Sequence, residues 1–320
     1  MDKPAVSVLM TTYNRSNYIK EAIDSVLNQS YKNFELIIID DGSTDNTFDI
    51  VKSIKDRRIS YYYQDNSGQN SARNTGIILS DGEYIAMIDS DDIWEADKLK
   101  KQVEILDKYN EIGLVFCGTV FINQDNEIVY KKPLIDYKGD VLKKLLLTNF
   151  LYNGSCPLFR RAGIVKTGMF DTSFERMTDW EFYLRYALYN KFWGISEYLL
   201  RYRIHDDTMS SDFEKYQIWG FKIIDSIFSN IDFPEKYQKL RKKAYAMRYR
   251  YMGIRCFEKR LLKEARNYFN KAFKLEIWTF LTGDMPIYYI LSLFPIETLN
   301  FARLFRKYLN KITLLQKIST

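Results

Sequence analysis

Asp89, Asp91 and Asp92 put three carboxylates into four positions at the end of the apolar run "EYIAMID". Their charges repel one another unless a cation joins them, and hard carboxylate oxygens suit Mn²⁺ or Mg²⁺. Two more polar segments stand where apolar runs stop. "TTYNR" (11–15) follows "AVSVLM", and "DDGSTDN" (40–46) closes "FELIIID". Each segment has a plain structural reading. "DDGSTDN" suits a turn with an Asx-capped helix start, and "DSDD" suits a helix entry that favours acids. Their recurrence at successive strand ends is what points to a shared ligand, because open parallel sheets bind ligands beyond the carboxyl ends of their strands.

The elements that must position these loops alternate strand and helix. Ser16 is expected to cap a helix whose Ile19, Ala22, Ile23, Val26 and Leu27 share one face. "FELIIID" and "ISYYYQ" read as strands, and residues 71–80 as a helix before the strand "EYIAMID". Ala96, Leu99, Val103 and Leu106 line a further helix. This rhythm implies an α/β fold with a mostly parallel sheet flanked by helices. From 114 to 203 the signals mix. "LVFCGTVFI" and "EIVYKK" are strands joined through "QDN", a helix covers about 140–148, and "SCPLFRR" is a strand. "TDWEFYLRYALYN" is a helix and "ISEYLLRYRIH" a final strand. Beyond Ser211 the pattern is helical. Ala265, Phe269, Ala272 and Phe273 form a stripe like one unit of a helical hairpin repeat.

Charge divides the chain at the same place. Residues 211–320 carry 21 Lys/Arg against 10 Asp/Glu, whereas residues 1–210 carry 26 against 31. Two modules are expected, 1–210 and 211–320, with different partners. The basic tail, with Tyr288, Tyr289, Phe294 and "LNFARLFRKYLNKI", suits either an interfacial helix at anionic lipid or a packing or oligomerisation module. Nucleic acid is not expected, since no recognised binding module accompanies the charge. No GxGxxG follows the first strand and no GxxxxGK[ST] occurs, so any nucleotide phosphates must be met by a metal and by side chains. Three scattered cysteines read as reduced thiols, and the opening residues carry no signal-peptide pattern. A cytoplasmic protein is expected, with possible peripheral membrane contact.

Residues 4 to 210 resemble family 2 glycosyltransferases throughout. The likeness is carried by "VSVLMTTYNRSNYIKEAIDSVLNQSYKNFELIIIDDGSTDNT", by "SARNTGIILSDGEYIAMIDSDD" and by "GMFDTSFERMTDWEFYLR". The resemblance implies the GT-A nucleotide-sugar-binding fold, followed here by a C-terminal helical region. It implies inverting transfer of a sugar from a nucleotide diphosphate, usually UDP, to a glycan or lipid-linked acceptor. Thr11 and Tyr13 would then frame the base, Asp41 would contact it, and Arg73 would help hold the nucleotide. Asp89 and Asp91 would form the metal-associated D-x-D, with Asp92 sharing the role. His205, in "YRIHDDTMS", would approach the metal or diphosphate, although a lone His at a strand end also has a structural reading. Asp179 matches the family's acidic base. On the residues alone it is also an ordinary first-turn acid, inside an expected Thr178–Glu181 capping box. Arg73 could likewise be an ordinary helix-surface ion pair. A nucleotidyltransferase and a non-catalytic sugar-nucleotide-binding protein remain the competing functions. The first would release pyrophosphate rather than free nucleoside diphosphate, and the second would bind without turnover.

Overall fold

The computed structural model describes residues 3–205, 213–281 and 285–294. Four strands open the chain: β1 (Val6–Thr12), β2 (Phe34–Asp40), β3 (Ile59–Tyr63) and β4 (Tyr84–Asp89). They pair in parallel in the order β3-β2-β1-β4. Parallel pairing demands long crossovers, supplied by α1 (Ile19–Leu27), α2 (Thr47–Ser53) and α3 (Gln69–Leu79). With helices over the sheet, β1, β2 and β4 are buried nearly throughout, which is why they read as continuous apolar runs. Register decides where the loops meet. Thr12 pairs with Asp40 and Thr11 with Asp89, so three strands end level with one another.

The second half of this unit holds β5 (Ile93–Trp94), α4 (Lys98–Lys108), β6 (Ile112–Ile122), β7 (Ile128–Lys131) and β8 (Lys138–Gly139). These lead into α5 (Leu142–Leu147), β9 (Leu158–Arg160), α6 (Ile164–Thr167), α7 (Thr178–Tyr186) and β10 (Lys191–Arg203). The sheet runs β3-β2-β1-β4-β9-β6-β10-β5, with β7 on β6 and β8 on β10. The expected β6–β7 hairpin forms as an antiparallel pair. Strand β9, short and antiparallel to both neighbours, joins the β4 side to the β6 side.

Two expected caps do not form. Tyr18, not Ser16, precedes α1, and the Ser16 backbone N–H instead donates to Asp45 Oδ2 at 2.9 Å, tying the first loop to the second. At α7 the residue before the helix is Met177, in the left-handed region at φ 56°. The Thr178 hydroxyl accepts from Arg73 Nη1 at 3.1 Å, and Glu181 pairs with Arg185 at 2.5 Å. Thr178 is thus taken by a partner from a distant helix, and Glu181 by its neighbour one turn on.

Spatially the chain divides into residues 1–234 and 235–320, so α8 (Phe213–Phe228) belongs to the first unit, past the compositional boundary at 210/211. The second unit contains α9 (Glu235–Gln238), α10 (Arg241–Glu258), α11 (Leu262–Leu275), α12 (Ile277–Leu281) and α13 (Met285–Leu291). Helices α10 and α11 pack as a hairpin, and Gly253 makes the close approach possible, since a Cβ there would collide with the Phe269 ring. Ala265, Phe269 and Ala272 are buried, whereas Phe273 is exposed. Tyr288 is buried edge-on to Phe257, and Tyr289 meets Phe269 and Phe280. Those two tyrosines therefore work in internal packing, while Phe294 is exposed. The segment "LNFARLFRKYLNKI" lies outside the described residues. Among the described residues no helix is long and apolar enough to cross a membrane.

One core group carries a pH signature. Lys98 is fully buried, with its ammonium 3.9 Å from the Trp94 ring centroid and donating to Gln102 Oε1 at 2.9 Å. Burial lowers its pKa to about 8 from an ordinary 10.5. Between those values the unfolded chain holds the proton and the folded chain has released it, so folding stability gains from rising pH. The wild type should therefore gain on Lys98→Met by about 1 kcal/mol or more as pH rises from 8 to 10.5. Denaturant melts of both proteins across that range check this, and parallel pH profiles would contradict it.

Candidate active site

The level ends of β1, β2 and β4 open onto a cavity of about 540 Å³. Thr11, Tyr13, Asp41, Arg73, Asp89, Asp91 and Asp179 all line it. These residues come from segments as far apart as 11 and 179 in sequence, so seven of the nine predicted site residues meet at one place. Asp92 and His205 are not among the lining residues.

Asp41 organises the floor. Its Oδ1 accepts from Gln64 Nε2 at 2.7 Å and from the Ser67 N–H at 3.0 Å, and its Oδ2 accepts from the Gly68 N–H at 2.9 Å. Gly68, at φ 88°, stands just before α3, so this carboxylate fixes where that helix begins. Helix α3 then supplies the central cation. Arg73 is buried, over the Phe170 ring, and its Nη2 lies 3.3 Å from Asp89 Oδ1. It is an interior bridge between β4 and the start of α7, not a surface ion pair. Asn74 of the same helix exchanges two hydrogen bonds with the backbone of Phe170, and Asn70 Nδ2 donates to the carbonyls of Asp171 and Phe174. Helix α3 thereby holds the loop that presents Asp179.

Opposite stands the loop before β9. A Cβ on Gly154 would come within 2.9 Å of Arg73 Nη2, so glycine lets this loop close on the guanidinium. Ser155 Oγ accepts from the Asp89 N–H at 2.9 Å and donates to Asp92 Oδ2 at 2.5 Å. Asp92 Oδ1 accepts from the Arg203 N–H at 3.0 Å. Asp92 is fully buried with both oxygens engaged, which corrects its expected share in metal binding. It anchors β10 and the loop before β9 to the acidic turn.

Asp91 differs. It lines the cavity, and its Oδ2 lies 2.9 Å from His205 Nε2 and 3.5 Å from Arg15 Nε. His205 is buried, with its ring stacked on Tyr18. Among the described residues no group of three or more His, Cys, Asp or Glu could hold a metal unaided. That donor set still fits Mg²⁺ or Mn²⁺, because such ions are usually held by one or two carboxylates together with substrate phosphates. Asp91 and Asp89 are the carboxylates available, with His205 behind Asp91.

The electrostatics agree with a cation-seeking site. Burial pushes the Asp89 carboxyl above its usual range, Arg73 pulls it down, and the charges of Asp91 and Asp179 push it up again. Burial likewise raises Asp179, against the pull of Arg73 and of N–H groups that include its own hydrogen bond from Trp180 at 2.8 Å. A carboxylate with a raised pKa is a better proton acceptor.

Sequence reasoning did not single out Arg15, Gln69, Gly154 or Ser155. Gln69 Nε2 donates to Asp89 Oδ1 at 3.1 Å. The signal for Arg15 was present, as a cation closing "TTYNR" beside an acidic cluster. Nothing local marked the others, which act across 20 to 81 residues of chain.

A mostly parallel sheet with a cavity at its strand ends, lined by carboxylates and an arginine, has the architecture of the GT-A fold. The profile of glycosyl transferase family 2 matches residues 7–167, and the chain belongs to that family. An uncharacterized glycosyltransferase of Rickettsia typhi is 35% identical over 226 residues, covering 68% of this chain and 71% of the relative. The putative teichuronic acid biosynthesis glycosyltransferase TuaG of Bacillus subtilis is 46% identical over 152 residues, covering 45% and 60%. Among solved structures, S. aureus TarS in complex with UDP-GlcNAc aligns with a TM-score of 0.67 at 19% identity, over 84% of this chain and 80% of that one. The mannosyltransferase PcManGT from Pyrobaculum calidifontis, in complex with GDP-Man and Mn²⁺, aligns at 0.62 and 17%, over 91% and 84%. At these identities the structural likeness establishes the fold.

The contrast between adjacent carboxylates is testable without any substrate. Asp92→Ala leaves the Arg203 N–H and the Ser155 hydroxyl without a buried acceptor and should cost about 1–3 kcal/mol of stability. Asp91→Ala should cost less, because Asp91 lines the open cavity, where water can replace its hydrogen-bonding to the groups it leaves. Denaturant titration of the two variants checks this, and equal losses would contradict the division of roles.

Proposed function

We propose that this glycosyltransferase moves a sugar, with inversion, from a UDP-linked donor to a hydroxyl of a cell-surface glycan or its precursor, with Mn²⁺ or Mg²⁺. The observation that carries the reading is the meeting of Asp89, Asp91, Arg73 and Asp179 on one cavity. Thr11, the half-exposed Tyr13 and Asp41 would receive the base and ribose, with the Tyr13 ring offering a stacking face. Arg73 supplies fixed positive charge beside Asp89, where the diphosphate would lie. When bound to Asp91 and Asp89, the divalent ion would stabilise the negative charge that gathers on departing UDP.

Asp179 is assigned the proton. As the acceptor oxygen bonds to the anomeric carbon, the bond from that carbon to the phosphate oxygen breaks and UDP leaves with the electron pair. The hydroxyl proton passes to the Asp179 carboxylate. Attack opposite the leaving group inverts the anomeric centre in a single displacement, and no enzyme nucleophile is required. The likeness to TuaG, named for teichuronic acid biosynthesis, supports a cell-surface polymer as acceptor. A nucleotidyltransferase would instead leave pyrophosphate, which product analysis separates from free UDP.

Asp179→Asn keeps the size and the hydrogen bond from Trp180, so stability and UDP affinity should stay near wild type while turnover falls about 10²- to 10⁴-fold. Because burial raises the Asp179 pKa, its proton-accepting form fills only above the ordinary carboxylate range. Wild-type turnover should therefore climb with pH along the acid limb. Near-normal turnover in Asp179→Asn, or a loss explained wholly by lost UDP binding, would remove Asp179 from this role.

A further inference from the structure

Arg15 has no part in the donor, metal and proton roles of the other site residues, yet it stands on the cavity wall beside Asp91. Two groups meet one Asp91 oxygen, Arg15 Nε at 3.5 Å and His205 Nε2 at 2.9 Å, and they are held very differently. His205 is buried against Tyr18. The Arg15 side chain is 23% exposed, and its Nη1 donates to the carbonyl of its neighbour Asn14 at 3.1 Å. Its backbone, by contrast, is fixed. The N–H donates to Thr47 Oγ1 at 3.2 Å, and the carbonyl accepts from the N–H groups of Tyr18 and Ile19. A backbone fixed by hydrogen bonds thus carries a long, partly exposed side chain on the wall of the cavity.

A divalent ion on Asp91 and a guanidinium 3.5 Å from the same oxygen repel each other strongly. Arg15 must therefore leave when the ion arrives. The donor brings new negative charge into this cavity on its diphosphate, and the planar fork of a guanidinium suits phosphate oxygens. We propose that Arg15 is the resident counter-cation of Asp91, yields that carboxylate to the incoming ion, and then pairs with the donor diphosphate. This rests on the reading that the cavity takes a metal ion with a nucleotide-sugar donor. The exchange keeps the carboxylate neutralised at every stage and adds a second cation to the leaving group only once the donor is seated.

The test uses the full chain, wild type beside Arg15→Ala and Arg15→Lys. Mn²⁺ affinity without nucleotide is read from the electron paramagnetic resonance of free Mn²⁺, and UDP affinity at saturating Mn²⁺ by calorimetry. Arg15→Ala should bind Mn²⁺ about two- to fivefold more tightly, because its competitor is gone. It should bind UDP about tenfold more weakly, because a charge-assisted pair is lost. Arg15→Lys should match wild type for Mn²⁺ and fall between the two for UDP. A merely structural role would weaken both affinities in Arg15→Ala, so opposite signs are the signature. Unchanged or weaker Mn²⁺ binding in Arg15→Ala, or unchanged UDP binding, overturns the proposal and leaves the metal reading standing. A wild-type chain that binds no Mn²⁺, with or without UDP, overturns both.

Discussion

Three carboxylates that repel one another, Asp89, Asp91 and Asp179, have to be held around one cavity. Burial makes the repulsion stronger, since charges interact more as the surroundings exclude water. The folded chain holds them with two arginines placed between them. Arg73 reaches Asp89 and the first residue of α7, and Arg15 reaches Asp91. The level register of β1, β2 and β4 matters because it delivers Thr11, Asp41 and Asp89 to the same height. The short antiparallel β9 matters because the loop before it brings Gly154 and Ser155 against Arg73 and Asp89. An acidic cluster with no cation of its own would loosen this end of the sheet. With built-in guanidinium groups the three carboxylates are held in place around the cavity.

Some of the irregular backbone lies at the same place. Met177 and Tyr152, both non-glycine residues with positive φ, line the cavity from opposite loops. Such conformations cost on the order of 1–3 kcal/mol each and persist where the surroundings over-determine them. Here the surroundings are specific. Asn70 and Asn74 tie the 170–174 backbone to α3, and Tyr183 Oη donates to the Asn153 carbonyl. One helix, α3, thus sets the position of the central arginine and of the loop that leads to Asp179. A shift of α3 would disturb Arg73 and Asp179 together.

Much of this was legible in the sequence because buried parallel strands leave an unmistakable mark. "FELIIID" and "EYIAMID" could hardly be anything else, and Asp41 and Asp89, at the ends of these runs, do line the cavity. What stayed hidden depended on partners that local spacing does not name, most of them distant in sequence. Thr178 and Glu181 have the spacing of a capping box, but Arg73 and Arg185 claim them in the folded chain. Asp92 is chemically identical to Asp91 and one residue away. Only the backbone path reveals that one faces the cavity and the other faces Ser155 and Arg203. The aromatic residues of the tail looked available for a surface, yet Tyr288 and Tyr289 complete the packing of the helical unit.

The central claim is that a nucleoside diphosphate and a divalent ion share the cavity at the ends of β1 and β4, with Asp91 as the carboxylate that meets the ion. A crystal of the chain grown with UDP and Mn²⁺ tests it most directly, through the anomalous scattering of manganese. The account predicts one strong peak about 2.1–2.3 Å from an Asp91 oxygen and in contact with the diphosphate, with the uracil near Tyr13 and Asp41. UDP bound in this cavity without manganese at Asp91, or manganese held by Asp92 instead, would contradict it.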